Sequence, residues 1–296
     1  MRKGSTMVVD SAVGLDKLEM FANGVDHSEG IAVTPAGVLY AGGEAGQIYR
    51  IGDDGSVDEV FSTGGFNLGL ASDASGRLYV CDSAARVVWR VDPQTGEREV
   101  FTSGVEGRPI YVPNWGCFDG VGNYYVTDSG DWGAQSGLIW VVRPGGTTEV
   151  WTEESKAFPN GCAMAPDGSR LFVLESNPSA IVEIPIGSDG AAGHRRVLDV
   201  LGTIVPDGIA IASDGSLVIA CYRPDAIFRW SPEAGLEILA ADPQGVVLAA
   251  PTNVVFTGDD LDVLVVPNLG RWHITRGRLG IRGTPLFYPT QSQLGS

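Results

Sequence analysis

The sequence predicts an all-β protein, a six-bladed β-propeller. Six segments restart in the same way, at positions 29, 68, 114, 160, 207 and 253, and they are spaced 39, 46, 46, 47 and 46 residues apart. Each start precedes a short apolar run and a turn that carries Gly or Asp. A repeat of about 40–50 residues with strand-like content is typical of propeller blades.

Each repeat is predicted to form four strands. The turns between the first and second strands carry Gly, Asp and Asn, which favour tight hairpins, at 119–123, 166–169 and 213–216. The strands predicted for the first repeat are 30–34, 38–41, 47–51 and 58–62. Those of the second are 70–72, 77–81, 87–91 and 98–102.

The ends of the chain are predicted to close one domain over residues 1–296, with a core of about 17–289. Segment 17–22 resembles an outermost strand and is expected to complete the last blade, because an open sheet edge invites association. Segment 286–288 is the competing candidate for that place. We expect the first dozen residues and the last six to be mobile tails.

Composition excludes several classes of protein. The net charge of −16 argues against nucleic-acid binding, which usually shows a basic face. No apolar run reaches 18 residues and the start lacks a signal-peptide segment, so we expect a cytoplasmic protein that does not enter a membrane. The four cysteines lie in apolar runs and are expected to be buried free thiols, with a Cys117–Cys162 disulfide as the alternative.

One repeated position carries the candidate chemistry. The residues there are Glu29, Leu68, Asn114, Asn160, Asp207 and Asn253, and five of the six offer oxygen. A propeller brings the starts of its first strands together around one axis, so these oxygens form a ring suited to a hard cation. Ca²⁺ is the first choice, with Zn²⁺ or Mn²⁺ as alternatives, because no His or Cys set marks a transition metal.

The ends of the second strands should lie on the same face as this ring, which we call the mouth. They place Asp82, Asp128, Glu175, Tyr222 and Asn268 at its rim. The hairpin turns lie on the opposite face and are expected to be functionally quiet.

The four ring positions also carry a family resemblance. Glu29-Gly, Pro113-Asn114, Pro159-Asn160-Gly and Pro206-Asp207-Gly, in this order, resemble the family of gluconolactonase, senescence marker protein and luciferin-regenerating enzyme, over residues 17–289. The resemblance implies a six-bladed propeller, one divalent metal in the channel, and hydrolysis of lactones or related esters. It implies Glu29, Asn114, Asn160 and Asp207 as metal ligands, and Asp207 as base or nucleophile.

The proton acceptor has a second candidate. A carboxylate bound to a dication is a poor base, since the cation lowers its pKa. That objection favours Asp128, at the rim beside Asn114, and leaves Asp207 mainly as a ligand.

The substrate is predicted to be a hydrophobic lactone or ester. Members of the family that act on sugar lactones often carry Arg two residues before the third-blade Asn, and this chain has Val112 there. The candidate substrate contacts are Tyr111, Trp115, Trp132, Phe158, Tyr222 and His273.

Three other functions compete. The same ring can support a phosphotriesterase, as in diisopropylfluorophosphatase. A condensing propeller like strictosidine synthase generally lacks the full ring. A binding propeller with a structural ion is the third, since fold alone does not fix function.

Overall fold

The computed structural model describes residues 14–295 and forms six four-stranded antiparallel sheets around one axis. The six-bladed all-β prediction is confirmed. The first strands of neighbouring blades pack on one another, so the channel lies between them.

The first half of the chain supplies a closing strand, three blades and a small hairpin. A short 3-10 turn, Leu15–Lys17, leads into β1 (Leu18–Asn23). Blade one contains β2 (Ile31–Val33), β3 (Leu39–Gly42), β4 (Gln47–Ile51) and β5 (Val57–Ser62). Blade two contains β6 (Asn67–Ser72), β7 (Leu78–Asp82), β8 (Val87–Val91) and β9 (Arg98–Thr102). The hairpin β10 (Gly104–Val105) and β11 (Arg108–Pro109) leads to blade three, with β12 (Pro113–Phe118), β13 (Tyr124–Asp128), β14 (Leu138–Val142) and β15 (Thr148–Thr152).

The second half repeats the plan. Blade four contains β16 (Pro159–Met164), β17 (Arg170–Ser176), β18 (Ser179–Pro185) and β19 (Arg196–Gly202). Blade five contains β20 (Val205–Ile211), β21 (Leu217–Arg223), β22 (Ala226–Ser231) and β23 (Gly235–Ala241). Blade six contains β24 (Val255–Thr257), β25 (Val263–Pro267) and β26 (His273–Gly277), and a short helix α1 (Gln291–Leu294) follows.

The ring closes through the N-terminal segment, as predicted. Strand β1 pairs antiparallel with β26, from Leu18 opposite Gly277 to Asn23 opposite His273. Blade six therefore takes its outermost strand from the start of the chain, which joins the two ends of the propeller by backbone hydrogen bonds.

Glycines allow the inner strands to approach closely. A β-carbon on Gly161 would lie 2.3 Å from the backbone oxygen of Asp207, and one on Gly208 would lie 2.5 Å from that of Thr252. Neighbouring blades therefore touch backbone to backbone beside the axis. This contact explains why Gly follows the ring residue in four of the six repeats.

The C-terminal segment 282–294, here called the strap, crosses the hairpin-turn face. The amide of Thr284 donates to the carbonyl of Ile211 at 3.0 Å, and the Tyr288 hydroxyl donates to that of Val33 at 2.9 Å. Segment 286–288 thus lies outside the sheets and does not form an outermost strand. The strap ends in α1, whose Leu294 is buried against blade three.

The predicted mobile tails have different outcomes at the two ends. At the C-terminus, the docking of Leu294 and the capping box of Thr290 and Gln293 correct the prediction. The N-terminal dozen lies outside the described residues.

The cysteines and the helix content bear on two further predictions. All four cysteines are free thiols. The Sγ atoms of Cys117 and Cys162 are 3.7 Å apart, which is too far for the alternative disulfide. Between residues 14 and 295, no helix is long and apolar enough to cross a bilayer.

Candidate functional site

β-Bulges begin several inner strands and set the direction of the ring residues. The pairing register shifts between Pro113 and Trp115, between Pro159 and Cys162, and between Pro206 and Ile209. Asn114, Asn160 and Asp207 lie at these irregularities. A bulge bends a strand and re-aims a side chain, as is common beside active sites.

Asn114 and Asn160 are each oriented by a serine that lies behind the ring. The side-chain amide of Asn114 donates to Ser129 Oγ at 2.9 Å, and Ser129 donates to the carbonyl of Pro159 in the next blade at 2.8 Å. The amide of Asn160 donates to Ser176 Oγ at 3.4 Å, and Ser176 donates to the carbonyl of Pro206 at 2.7 Å. With both nitrogens held, the amide oxygens are left to accept from other groups.

One of these oxygens lacks a donor. Asn160 Oδ1 is buried and has no hydrogen-bond partner among the described residues. A buried acceptor without a donor costs free energy, and an orphan of this kind marks a place for an ion or a water molecule.

The two ring carboxylates are destabilised in their charged forms. Burial, reinforced by the charge of Glu44, raises the pKa of Glu29 to about 7. Burial and the charge of Glu29 raise the pKa of Asp207 well above its usual range, against the opposing hydrogen bond from Asn160. A dication would compensate two carboxylates that resist ionisation together, and with two neutral amide oxygens they are candidate ligands for a hard cation.

The other two ring positions do not share this arrangement. Asn253 is buried and turned to backbone, since its Oδ1 accepts from the Val254 amide at 2.6 Å and its Nδ2 donates to the carbonyl of Ile31 at 3.5 Å. Leu68 packs in the core between blades two and three. Glu29, Asn114, Asn160 and Asp207 therefore remain the candidate metal ligands, and we call these four residues the donor set.

Trp115 lies across the channel below this set and does not line the mouth. Its Cδ2 lies 3.4 Å from the position of a β-carbon on Gly69 in blade two, and its Cη2 lies 2.9 Å from that on Gly208 in blade five. The indole is 8% exposed. Beneath it lies a mainly apolar chamber of about 110 Å³, floored by the strap. This position argues against the sequence prediction of Trp115 as a substrate contact.

Asp128 is held in a structural arrangement. Its Oδ2 accepts from the Tyr111 amide at 2.8 Å and from Trp140 Nε1 at 3.1 Å, and its Oδ1 accepts from the Val112 amide at 2.8 Å. Asp82 has equivalent bonds to the Phe66 amide and Trp89 Nε1 in blade two. Both carboxylates hold the backbone just before an inner strand. Because the oxygens of Asp128 are occupied in this way, the arrangement argues against Asp128 as proton acceptor.

Glu175 and Asn268, which were also predicted at the rim, are likewise held by structural hydrogen bonds. Glu175 is buried and bound by Ser155 and Arg195. Asn268 is buried and bonded to the Ala249 amide at 2.8 Å and to Thr275 Oγ1 at 3.0 Å. The ends of the second strands thus carry polar residues that hold the blades together.

His273 lies in the blade and not at the mouth. It is 5% exposed, Nε2 lies 3.0 Å from the carbonyl of Val247, and burial lowers its pKa. A neutral imidazole donating to a backbone carbonyl is a structural arrangement, which argues against the prediction of His273 as a substrate contact.

The remaining predicted substrate contacts are aromatic side chains that lie in or beside the loops of the mouth. Tyr111, Trp132 and Tyr222 are among the exposed large side chains, together with Trp272. Each is supported by a neighbour. Arg86 lies 4.6 Å over Tyr111, Arg223 lies 4.6 Å over Tyr222, Trp132 meets the ring of Phe158, and Trp272 donates to His27 Nε2.

A charged cluster beside Glu29 was not found from the sequence. His27 Nδ1 lies 2.9 Å from Asp26 Oδ1 and 3.3 Å from Glu44 Oε2. The signal was weak, because Glu44 lies 17 positions beyond His27 and only the β3–β4 connection brings it back to the mouth. Through the charge of Glu44, the cluster contributes to the raised pKa of Glu29.

Comparisons with known proteins agree with this architecture. The chain is 26% identical to a gluconolactonase of Zymomonas mobilis over 197 residues, 59% of this chain and 54% of the relative. It is 23% identical to lactonase drp35 of Staphylococcus saprophyticus over 248 residues, 78% of this chain and 76% of the relative. The chain thus spans about half the length of the Zymomonas protein.

Solved structures show the same fold. A gluconolactonase of Xanthomonas campestris superposes with a TM-score of 0.75 at 21% identity, covering 92% of both chains. Regucalcin of Agrobacterium tumefaciens, a calcium-binding protein, superposes with a TM-score of 0.71 at 16% identity, covering 95% of this chain and 96% of that one.

The family model settles the relationship. The SMP-30/gluconolactonase/LRE-like region matches residues 28–268, most of the propeller and all four members of the donor set. The chain belongs to the SMP-30/gluconolactonase/LRE-like family.

Proposed function

We propose that this chain is a metal-dependent hydrolase of lactones or related esters. The observation that carries the proposal is the donor set itself: a buried Asp207 and a partly buried Glu29 with raised pKa values, beside two oriented amides, one with an orphaned oxygen. The family relationship supports the reaction class, since relatives include a gluconolactonase and a lactonase.

The donor set fits a divalent cation, and Ca²⁺ fits best. Glu29 and Asp207 nearly neutralise two positive charges, and Asn114 and Asn160 add neutral oxygens, which is the ligand chemistry that Ca²⁺ prefers. The similarity to a calcium-binding regucalcin supports the same choice. Bound there, the ion supplies Lewis-acid polarisation of a substrate carbonyl oxygen.

We assign proton transfer to Asp207. Burial and the charge of Glu29 raise its pKa in the metal-free protein, and a bound cation would lower it. The assignment rests instead on its place in the candidate donor set, beside a substrate carbonyl held there, and on the family resemblance, which implies an Asp beside the metal as base or nucleophile. Asp128, the other candidate from the sequence, already accepts bonds at both oxygens from Tyr111, Val112 and Trp140. The role of Asp128 is then to hold the loop before Asn114.

The substrate approaches from the mouth. Trp115 closes the channel beneath the donor set, and the strap covers the opposite face. The exposed aromatic side chains around the mouth favour a ligand with an apolar body over a free sugar lactone.

The proposal is tested by hydrolysis of aliphatic, aromatic and sugar lactones and one phosphotriester by metal-stripped protein, with and without added Ca²⁺ or Zn²⁺. We expect metal-restored turnover of lactones, and loss of that turnover in Asp207→Asn. Turnover of the phosphotriester alone would move the chain to the phosphotriesterase class. No turnover with any metal, despite one bound ion per chain, would leave a binding propeller.

A further inference from the structure

Phe158 has a backbone conformation that its residue type disfavours. Its φ is +56°, in the left-handed region, where a bulky aromatic residue is a rare outlier. It also precedes Pro159, and a residue before proline prefers an extended backbone. Its amide donates to the carbonyl of Lys156 at 3.0 Å and its carbonyl accepts from the Ser176 amide at 3.1 Å, so the surrounding structure enforces the strain.

The strained backbone presents an aromatic ring at the mouth. The ring of Phe158 meets that of Trp132 edge to face, with centroids 4.9 Å apart and planes at 68°. Trp132 is 57% exposed, although it has this partner. Enforced strain of this kind is found most often at binding sites and active sites, and here it accompanies a pair of aromatic rings of which Trp132 is exposed.

The loop that carries Trp132 is also fixed. The amide of Asp131 donates to Ser136 Oγ at 3.0 Å, and the Tyr111 hydroxyl donates to Asp131 Oδ1 at 2.9 Å. Tyr111 is thus bonded to the residue before Trp132, and Trp132 packs on Phe158; we call these three side chains the aromatic wall. A rigid wall loses little conformational entropy when a ligand binds to it.

The aromatic wall borders the metal-binding candidates on one side. Phe158 is two residues before Asn160, and Tyr111 is three residues before Asn114. A substrate whose reacting carbonyl lies at the donor set would have its body against blades three and four.

From this geometry we infer that Trp132 and Phe158 are the specificity-determining residues, and that they select lactones fused to, or substituted with, a planar aromatic ring. The inference rests on the proposed function. A fused ring presents a flat apolar face to the wall, whereas a sugar lactone presents hydroxyl groups that the wall does not hydrogen-bond.

The test compares a benzo-fused δ-lactone with δ-valerolactone, which has the same reacting ring without the aromatic face. The variants are Trp132→Ala and Phe158→Asn, because asparagine accepts the left-handed conformation and keeps the backbone. We expect kcat/KM for the benzo-fused lactone to fall about 3–10-fold in each variant, the range of an aromatic contact. For δ-valerolactone we expect a change below about twofold, because that lactone lacks the face that contacts the wall.

The control is Leu286→Ala. Leu286 is a large apolar side chain that is 52% exposed, and it lies in the strap on the face opposite the mouth. Its truncation should leave the ratio of the two kcat/KM values unchanged. An equal loss for both lactones in the Trp132 and Phe158 variants, or an equal change of the ratio in Leu286→Ala, overturns the inference.

Binding separates this inference from the proposed function. The benzo-fused lactam, which resists hydrolysis, is titrated calorimetrically into the wild type and both variants. If no lactone is turned over but the lactam binds and loses affinity in the variants, the hydrolase proposal fails and the aromatic wall stands. If lactones are hydrolysed but neither substitution changes the affinity for the lactam, the inference about the aromatic wall is rejected and the hydrolase proposal stands.

Discussion

The two faces of the propeller treat carboxylates in opposite ways. On the hairpin-turn face, hydrogen bonds from Ser169 lower the pKa of Asp167, and those from Ser216 lower the pKa of Asp214. At the mouth, burial raises the pKa values of Glu29 and Asp207. The hydrogen bond from Asn160 to Asp207 opposes this rise without cancelling it.

This difference separates structural acids from functional ones. A carboxylate whose charge is stabilised by local donors contributes to folding and has little left to offer a ligand. A buried pair that repels its own charge costs stability until something positive binds, and such groups cluster at functional sites. Asp128 is also occupied by structural hydrogen bonds although it lies at the mouth, because four donors surround its carboxylate.

The largest expected effect comes from removing a ring carboxylate. Glu29→Gln or Asp207→Asn should weaken Ca²⁺ binding and lower kcat/KM by about a hundredfold or more, since removing one partner of a buried charge set costs about 3–5 kcal/mol. Calorimetric Ca²⁺ titration and lactone kinetics measure both. Asp214→Asn on the turn face is the control, and an equal loss there would erase the contrast between the faces.

The serines behind the ring should have the next largest effect. Ser129→Ala and Ser176→Ala release the amides of Asn114 and Asn160, so Ca²⁺ affinity should fall about 10–100-fold, as is usual when a ligand loses its outer partner. Ser169→Ala, the same substitution on the hairpin-turn face, is the control and should leave Ca²⁺ affinity unchanged. Unchanged affinity in both ring-side variants would mean that the asparagines are oriented by something else.

Asp128→Asn should reduce stability while the folded fraction keeps its turnover. The carboxylate accepts from three backbone amides and an indole, and losing such a buried network costs about 1–3 kcal/mol. Urea unfolding and kcat measured on the same sample separate the two effects. A loss of kcat of about a hundredfold at unchanged stability would return Asp128 to the mechanism.

The smallest expected effect is a pH dependence of the metal-free protein. The pKa of Glu29 is about 7 in the folded protein against an ordinary value of 4.5, so the folded state holds the extra proton between these values. Stability should therefore fall as pH rises from about 4.5 through 7, with Asp207 and Glu44 facing the same group. Saturating Ca²⁺ should remove the fall.

Thermal unfolding from pH 5 to 8, with chelator or with Ca²⁺, measures this slope. Glu29→Gln should flatten it in the metal-free protein. A slope that is identical in the wild type and in that variant would show that other groups set the pH dependence.

Much of the fold was predictable because the repeat is written in the sequence. The spacing of the six starts and the turn residues predicted the blades, and strands 47–51, 87–91 and 98–102 have the bounds expected from the pattern. The closing role of 17–22 followed from a blade that lacked its outer strand. These features depend on local periodicity and on the avoidance of open edges.

The direction of individual side chains was harder to predict. Trp115 follows a ring residue at a position where four repeats have glycine, and that contrast was the available signal that an indole fills the space between blades. His273 and Asp128 were expected at the mouth because strand ends lie there. A side chain at a strand end can instead turn into the blade and hydrogen-bond to the backbone, as both of these do. The strap has no repeat to mark it, so its docking across the turn face depended on tertiary contacts alone.

The most direct test of the account follows occupancy and activity in one titration. Metal-stripped protein is titrated with Ca²⁺ while heat of binding and hydrolysis of a benzo-fused lactone are measured on matched samples. We predict one ion per chain and turnover that rises in proportion to occupancy. Stoichiometric binding with unchanged turnover would contradict the account, because the ion at the ring would then hold the fold without taking part in the reaction.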